Sequence, residues 1–196
     1  ATRSSATAED LPEASFAGQQ ATYLNIKGKD NVVQAVHQCW ASLYTARAIY
    51  YRERNNFEHD KVYIAVVIQK MINSEKSGVM FTINPVSNNE NEIIIEAGFG
   101  LGDSIVSGAI SPNRYVVDKN KEVINDKKIP GQAWMFTRDI NTGRTKKQTI
   151  NEYKSKEQVL TDGEIISLSK IAKQIEGHYG CPQDIEYAIE NNRLYI

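Results

Sequence analysis

The chain has little sulfur, almost no net charge and no long apolar run. Only two cysteines occur, Cys39 and Cys181, without paired-ligand spacing. That excludes a disulfide framework and a zinc site, and reduced thiols fit a cytoplasmic protein. A formal net charge of −1 removes any general attraction to nucleic acid or to an acidic membrane. No apolar stretch approaches the roughly 20 residues needed to span a bilayer. The first residues, Ala1-Thr2-Arg3, include no initiating Met and no basic region followed by a leader-like apolar core. The three histidines, His37, His59 and His178, match no triad or metal spacing. No GxxxxGK[ST] loop is present, and the run Gly98-Phe99-Gly100-Leu101-Gly102 is not GxGxxG, because Asp103 stands where the last glycine belongs. Walker and Rossmann phosphate loops are thereby excluded.

What is present describes a folded chain. At 196 residues it can bury a sizeable core as one domain or two small lobes. Its 41% hydrophobic and 24% charged residues are ordinary for a globular protein, and ten tyrosines argue against disorder. Residues 30–54 have helical spacing through Val33, Val36, Trp40, Leu43 and Tyr44, with Asp30 as cap and a break before Ala46. Arg47, Arg52 and Arg54 then sit near the helix end, where cations suit the dipole. From Val62 the period changes. VYIAVVIQKM, SGVMFTINP and NEIIIEAGFG read as strands divided by Asn, Ser, Gly and Pro turns. A short helical segment follows at 103–108, then strands at 114–118, 133–138 and 146–150. Thr161-Asp162-Gly163-Glu164 has capping-box spacing, and the helix it opens carries Ile165, Leu168, Ile171, Ala172 and Ile175 on one stripe. A hairpin, Asp184 to Ile189 with Arg193 to Ile196, ends the chain. The expected class is α+β, a helix-rich opening followed by a largely antiparallel sheet lobe with helices. The composition shift divides it into units 1–60 and 61–196.

Several residues could carry chemistry. Arg3, beside a strand end, offers a guanidinium fork that matches phosphate oxygens bidentately. The small-residue loop Ser15 to Gln20 lets backbone N–H groups approach an anion, with Gly18 contributing bare backbone and Thr22 a hydroxyl. Strand alternation places Asp184 and Glu186 on one face, so both carboxylates could meet one hard cation. Gln69 closes an apolar strand, and Glu96 precedes the glycine run as a further carboxylate. The roles of Glu96 and of Gly98 to Gly102 stay open between packing and ligand contact. The lysines and arginines between Lys119 and Lys156 read as solvated strand and turn faces.

Taken together, Arg3-Ser4-Ser5-Ala6-Thr7-Ala8-Glu9-Asp10, Ser15 to Gln20, Ser77 to Thr82, Gly100 to Asp103 with Val106-Ser107-Gly108, and Asp184-Ile185-Glu186-Tyr187 resemble, in order, the nucleotide-binding domain of the phosphoenolpyruvate synthase and dikinase family. The resemblance covers essentially the whole chain. It implies an ATP-grasp fold, in which two α+β lobes hold ATP, and magnesium as the second cofactor. It also implies that Arg3, Gly18 and Thr22 contact the phosphates, that Gln69 lies at the hinge lining the adenine pocket, and that Glu186 ligates the metal. None of the three histidines resembles the family's phosphocarrier motif, so no catalytic residue is expected in this chain. In the family, the β-phosphoryl group of ATP passes to a carrier histidine on a swivelling domain and then to pyruvate. A lysine-bearing lobe before the arginine motif and a QxRP motif after the last strand do not occur here, so the chain reads as a fragment of the ATP-binding domain. Two alternatives are rifampicin phosphotransferase, which shares the wording, and pyruvate phosphate dikinase, whose arginine and glycine loops read differently. A third, from another class, is a non-catalytic interaction module that keeps the fold.

Overall fold

The computed structural model describes residues 1–7, 10–11, 14–15 and 21–196. Gly18 and most of the loop around it lie outside the described residues. The chain forms two compact units, one of residues 1–71 with 139–145, the other of residues 72–138 with 146–196.

The first unit is built on a three-stranded sheet in the order β4 (Thr22–Tyr23), β1 (Thr2–Ala6), β5 (Ile64–Ile68), all neighbours antiparallel. A two-residue pair, β2 (Asp10–Leu11) with β3 (Ala14–Ser15), lies between β1 and β4 in sequence. Because β5 pairs with β1 along five residues, the units divide at 71/72 and not at 60/61. The strand period that begins at Val62 therefore starts in the first unit.

Two helices follow β4, α1 (Lys29–Ser42) and α2 (Ala46–Arg54), broken where Thr45 accepts a hydrogen bond from the Ala48 N–H as cap. The helix α1 opens after Gly28 (φ 90°) without a side-chain cap, so Asp30 sits inside the first turn rather than capping it. Its buried side is Ala35, Cys39 and Ser42, whereas Val33, Trp40 and Tyr44 from the expected stripe are exposed. The helix packs along β1 and β5. Small side chains permit that close approach, and the Cys39 thiol donates to the Thr2 and Ala21 carbonyls. Burial pushes the Cys39 thiol above its ordinary pKa.

The second unit centres on a six-stranded sheet. Its order is β13 (Arg193–Tyr195), β12 (Asp184–Glu190), β6 (Lys76–Phe81), β7 (Glu92–Phe99), β8 (Asn113–Asp118), β9 (Val123–Lys128), antiparallel throughout. A second pair joins β10 (Trp134–Arg138) and β11 (Thr145–Thr149). Short helices α3 (Asp103–Val106) and α4 (Glu152–Ser155) lie in the connections, and α5 (Asp162–Tyr179) packs on β7, β8 and β9. The capping box at its start is formed as expected: Thr161 Oγ1 accepts from the Glu164 N–H and Glu164 Oε2 from the Thr161 N–H. Its end is Gly180 in the left-handed region.

One face of this sheet, Met80, Ile93, Ile95, Ala97, Tyr115, Val117, Ile185, Tyr187 and Ile189, joins Ile165, Leu168 and Ala172 of α5 in a single core. Strand alternation sends the intervening residues to the opposite face. Two glycines make the centre of the sheet possible. A Cβ on Gly78 would fall 1.8 Å from the Glu96 carbonyl oxygen and 2.6 Å from the Tyr187 hydroxyl, which crosses that gap to donate to Glu96 O at 3.0 Å. Gly100 (φ 86°) brings the chain so close to β10 that a Cβ would meet Phe136 O at 2.3 Å, while the Leu101 N–H donates to that same oxygen. The glycine run thus has a packing role.

Candidate functional site

In the first unit, pairing sets three of the expected residues side by side. Arg3 is directly opposite Thr22 on β4 and Val67 on β5. Directly opposed residues in an antiparallel pair share a face with their Cβ atoms about 5 Å apart. Gln69 lies two pairs further along, opposite Ala1: its N–H donates to Ala1 O at 2.9 Å and its carbonyl accepts from Ala1 N at 2.7 Å. Alternation puts Gln69 on the face of Val67, and Arg3 Nη1 reaches Gln69 Oε1 at 3.5 Å. Thr2 and Ala6, buried, point the other way, whereas Thr22, Val67 and Gln69 are exposed. This face therefore presents a guanidinium, a hydroxyl and an amide around an exposed valine. Those are donors for phosphate and for a purine edge, with an apolar surface between them.

In the second unit, the register carries one row across five strands: Glu186 on β12, Val79 on β6, Glu96 on β7, Arg114 on β8 and Lys128 on β9. The row lies on the face away from the α5 core. Glu186 and Lys128 are exposed, and Val79, Glu96 and Arg114 half-buried. Asp184 is also exposed and shares this face, opposite Phe81. The sequence singled out Glu186, Asp184 and Glu96 but passed over Arg114. The available signal was a charge just before the apolar run Tyr115-Val116-Val117, which acquires meaning only once β7 and β8 are in register.

Among the described residues, no three His, Cys, Asp or Glu side chains gather as a metal site. The donor set is instead one or two carboxylates on an accessible strand face. That suits magnesium, which commonly takes one or two protein carboxylates and completes its shell with water and substrate phosphates. Also among the described residues, no helix is long and apolar enough to cross a membrane.

The mixed α+β scaffold, a long helix with antiparallel sheets, is that of an ATP-grasp-like ATP-binding domain. The model of the pyruvate phosphate dikinase AMP/ATP-binding domain matches residues 1–196, and the chain belongs to that family. It is 55% identical to the phosphoenolpyruvate synthase of Pyrococcus furiosus and 56% identical to the probable phosphoenolpyruvate synthase of Archaeoglobus fulgidus, in each case over all of this chain. It is 46% identical over its whole length to the rifampicin phosphotransferase of Bacillus subtilis. The chain spans 25%, 26% and 22% of those proteins respectively, about a quarter of their length.

Proposed function

We propose that this chain binds ATP with magnesium as the nucleotide domain of a phosphoenolpyruvate synthase. The observation that carries the reading is the strand register that puts Arg3, Thr22 and Gln69 on one accessible face. Arg3 and Thr22 contact the phosphates together with the backbone at Gly18, and Gln69 recognises the adenine side. Glu186 takes the magnesium, which when bound neutralises charge on the phosphates and so favours phosphoryl transfer. The protein groups act by holding and orienting. Arg3 Nη1 lies 3.5 Å from Gln69 Oε1, so the amide can help orient the guanidinium toward a nucleotide.

In a protein of the relatives' length, ATP would pass its β-phosphoryl group to a histidine of a carrier domain. A pyruvate domain would then accept it, with water consumed and phosphoenolpyruvate, AMP and phosphate released. Pyruvate is favoured over rifampicin because the phosphoenolpyruvate synthases are 52–56% identical and the rifampicin phosphotransferases 46–47%. Free Cys39 and Cys181 fit a reducing, cytoplasmic setting.

Calorimetric titration of Mg-ATP tests the reading. The wild-type chain is expected to bind, and Arg3→Ala to weaken binding roughly 10- to 100-fold, the range for one lost charged hydrogen bond. Absence of binding by folded wild-type chain at millimolar nucleotide would overturn it.

A further inference from the structure

The half-buried charges Glu96 and Arg114 are direct cross-strand partners on the row that carries Glu186. Opposite charges so placed in an antiparallel pair normally find each other. Here neither the Glu96 carboxylate nor the Arg114 guanidinium forms a hydrogen bond or ion pair with another described residue, although ion pairs form readily elsewhere in the unit, at Lys76–Glu164, Lys119–Glu176 and Lys173–Glu122. Two charges partly withdrawn from water, adjacent and unpaired, point to a third party that both address. The rest of the row limits what that party can be. Glu186 and Glu96 flank Val79 two strand spacings apart, roughly 10 Å between backbones, a gap that two glutamate side chains reaching toward each other can close around one ion. Arg114 stands one strand further on, with a planar fork of donors suited to phosphate.

We infer that Glu96 and Arg114 belong to the nucleotide site, Glu96 as the second carboxylate facing the magnesium held by Glu186 and Arg114 as a phosphate contact. The inference rests on the ATP reading above. It adds two residues to that reading and gives the half-buried Arg114 guanidinium a partner, the triphosphate. The arrangement also assigns the two different jobs. Glu96 acts through the cation, so its loss should matter only when the cation is present. Arg114 acts on the phosphate directly, so its loss should matter with or without it.

The test compares wild type with Glu96→Gln, Arg114→Gln and Arg114→Lys, titrating ATP with magnesium and again with EDTA. Manganese titration followed by electron paramagnetic resonance reads the cation site directly. Glu96→Gln should weaken manganese binding in the presence of ATP about tenfold while leaving EDTA–ATP binding within about twofold. Arg114→Gln should weaken ATP binding about tenfold in both conditions, with partial recovery in Arg114→Lys. Wild-type binding of Mg-ATP that neither substitution alters, in variants with unchanged circular dichroism, would overturn this inference and leave the ATP reading standing. Loss of equal size in both conditions for Glu96→Gln would overturn its cation role. No nucleotide binding by wild type would remove both readings together.

Discussion

The two units differ in what holds them together. In the second, sixteen buried residues from Met80 to Ile189 form one apolar cluster between the six-stranded sheet and α5. In the first, the described cluster is Leu43 and Val62 with Tyr51, Phe57 and Ile64 against them. The largest fully buried side chain in that unit is a charged one, Arg52. Several of its apolar residues are instead exposed, including Val33, Trp40, Tyr44, Tyr50, Tyr63 and Val67. Apolar burial supplies most folding free energy, so among the described residues the second unit has the larger apolar core and the first leans more on its strand ladder. The contrast matters for the site: the carboxylate row stands on a packed platform, and the Arg3 face stands on a three-stranded sheet.

The strongest way to break the comparison is at Gly78. Its missing Cβ is the space through which Tyr187 reaches Glu96 O, and the obstacle to any side chain is backbone at 1.8 Å. Gly78→Ala should cost about 3 kcal/mol or more, the upper end of overpacking penalties. Hydrogen exchange should show the loss in β6, β7 and β12 and leave β1 and β5 at their original, lower protection. Equal protection of the two units in wild type would contradict the ranking outright.

A smaller effect is expected from His59 in the first unit. Arg52 Nε donates to His59 Nδ1 at 2.9 Å, so His59 carries its proton on Nε2 and donates to Glu53 Oε1 at 2.7 Å. Arg52 Nη1 is buried without a hydrogen-bond partner. His59→Ala would strip the same buried cation of a further acceptor and should cost about 2 kcal/mol in denaturant melts. Adding Arg52→Met should restore much of that, because a buried charge left unpaired costs more than an apolar replacement. Equal stability of the single and double variants would show that Arg52 is not the source of the penalty.

The same contrast explains how much was legible beforehand. In the second unit, alternation and α5 periodicity were direct consequences of one buried face, so β6, β7, β12 and the capping box at Thr161 could be read off the residues. In the first, Val33, Trp40 and Tyr44 have helical spacing but lie outward, because Ala35 and Cys39 are what fits against β1. Periodicity reports a helix without saying which stripe is buried. The compact first unit runs past residue 60 for a related reason: β5 is strand-like in sequence, and only its pairing with β1 assigns it to that unit. Arg3, Thr22 and Gln69 were identifiable through motif resemblance, and their common face came only from register. Arg114 was invisible because one charge in a strand has no meaning until its cross-strand neighbour is known.

The smallest effect, and the one that sharpens the comparison by pH, lies at Glu164 in the second unit. Burial pushes its carboxyl upward, but hydrogen bonds from Lys76 and Thr161 outweigh that and hold it below its ordinary value. The unfolded chain therefore takes up a proton near pH 4.3, while the folded chain resists until lower pH. Stability from this group is present above the unfolded value and is lost as pH falls through the depressed folded value. Glu164→Gln keeps an acceptor for the capping box and removes only the charge facing Lys76 Nζ at 2.8 Å. The pair is partly exposed, with side-chain exposures of 22% and 23%, so the loss at pH 7 should be about 1 kcal/mol or less. In thermal melts the gap between wild type and Glu164→Gln should close as the pH drops below about 4. The acid-sensitive carboxylates Asp118, Glu122 and Asp162 are also held low, but they are common to both proteins and cancel in the difference. A gap that persisted to pH 2 would show that Glu164 acts through packing or its cap, with no contribution from charge.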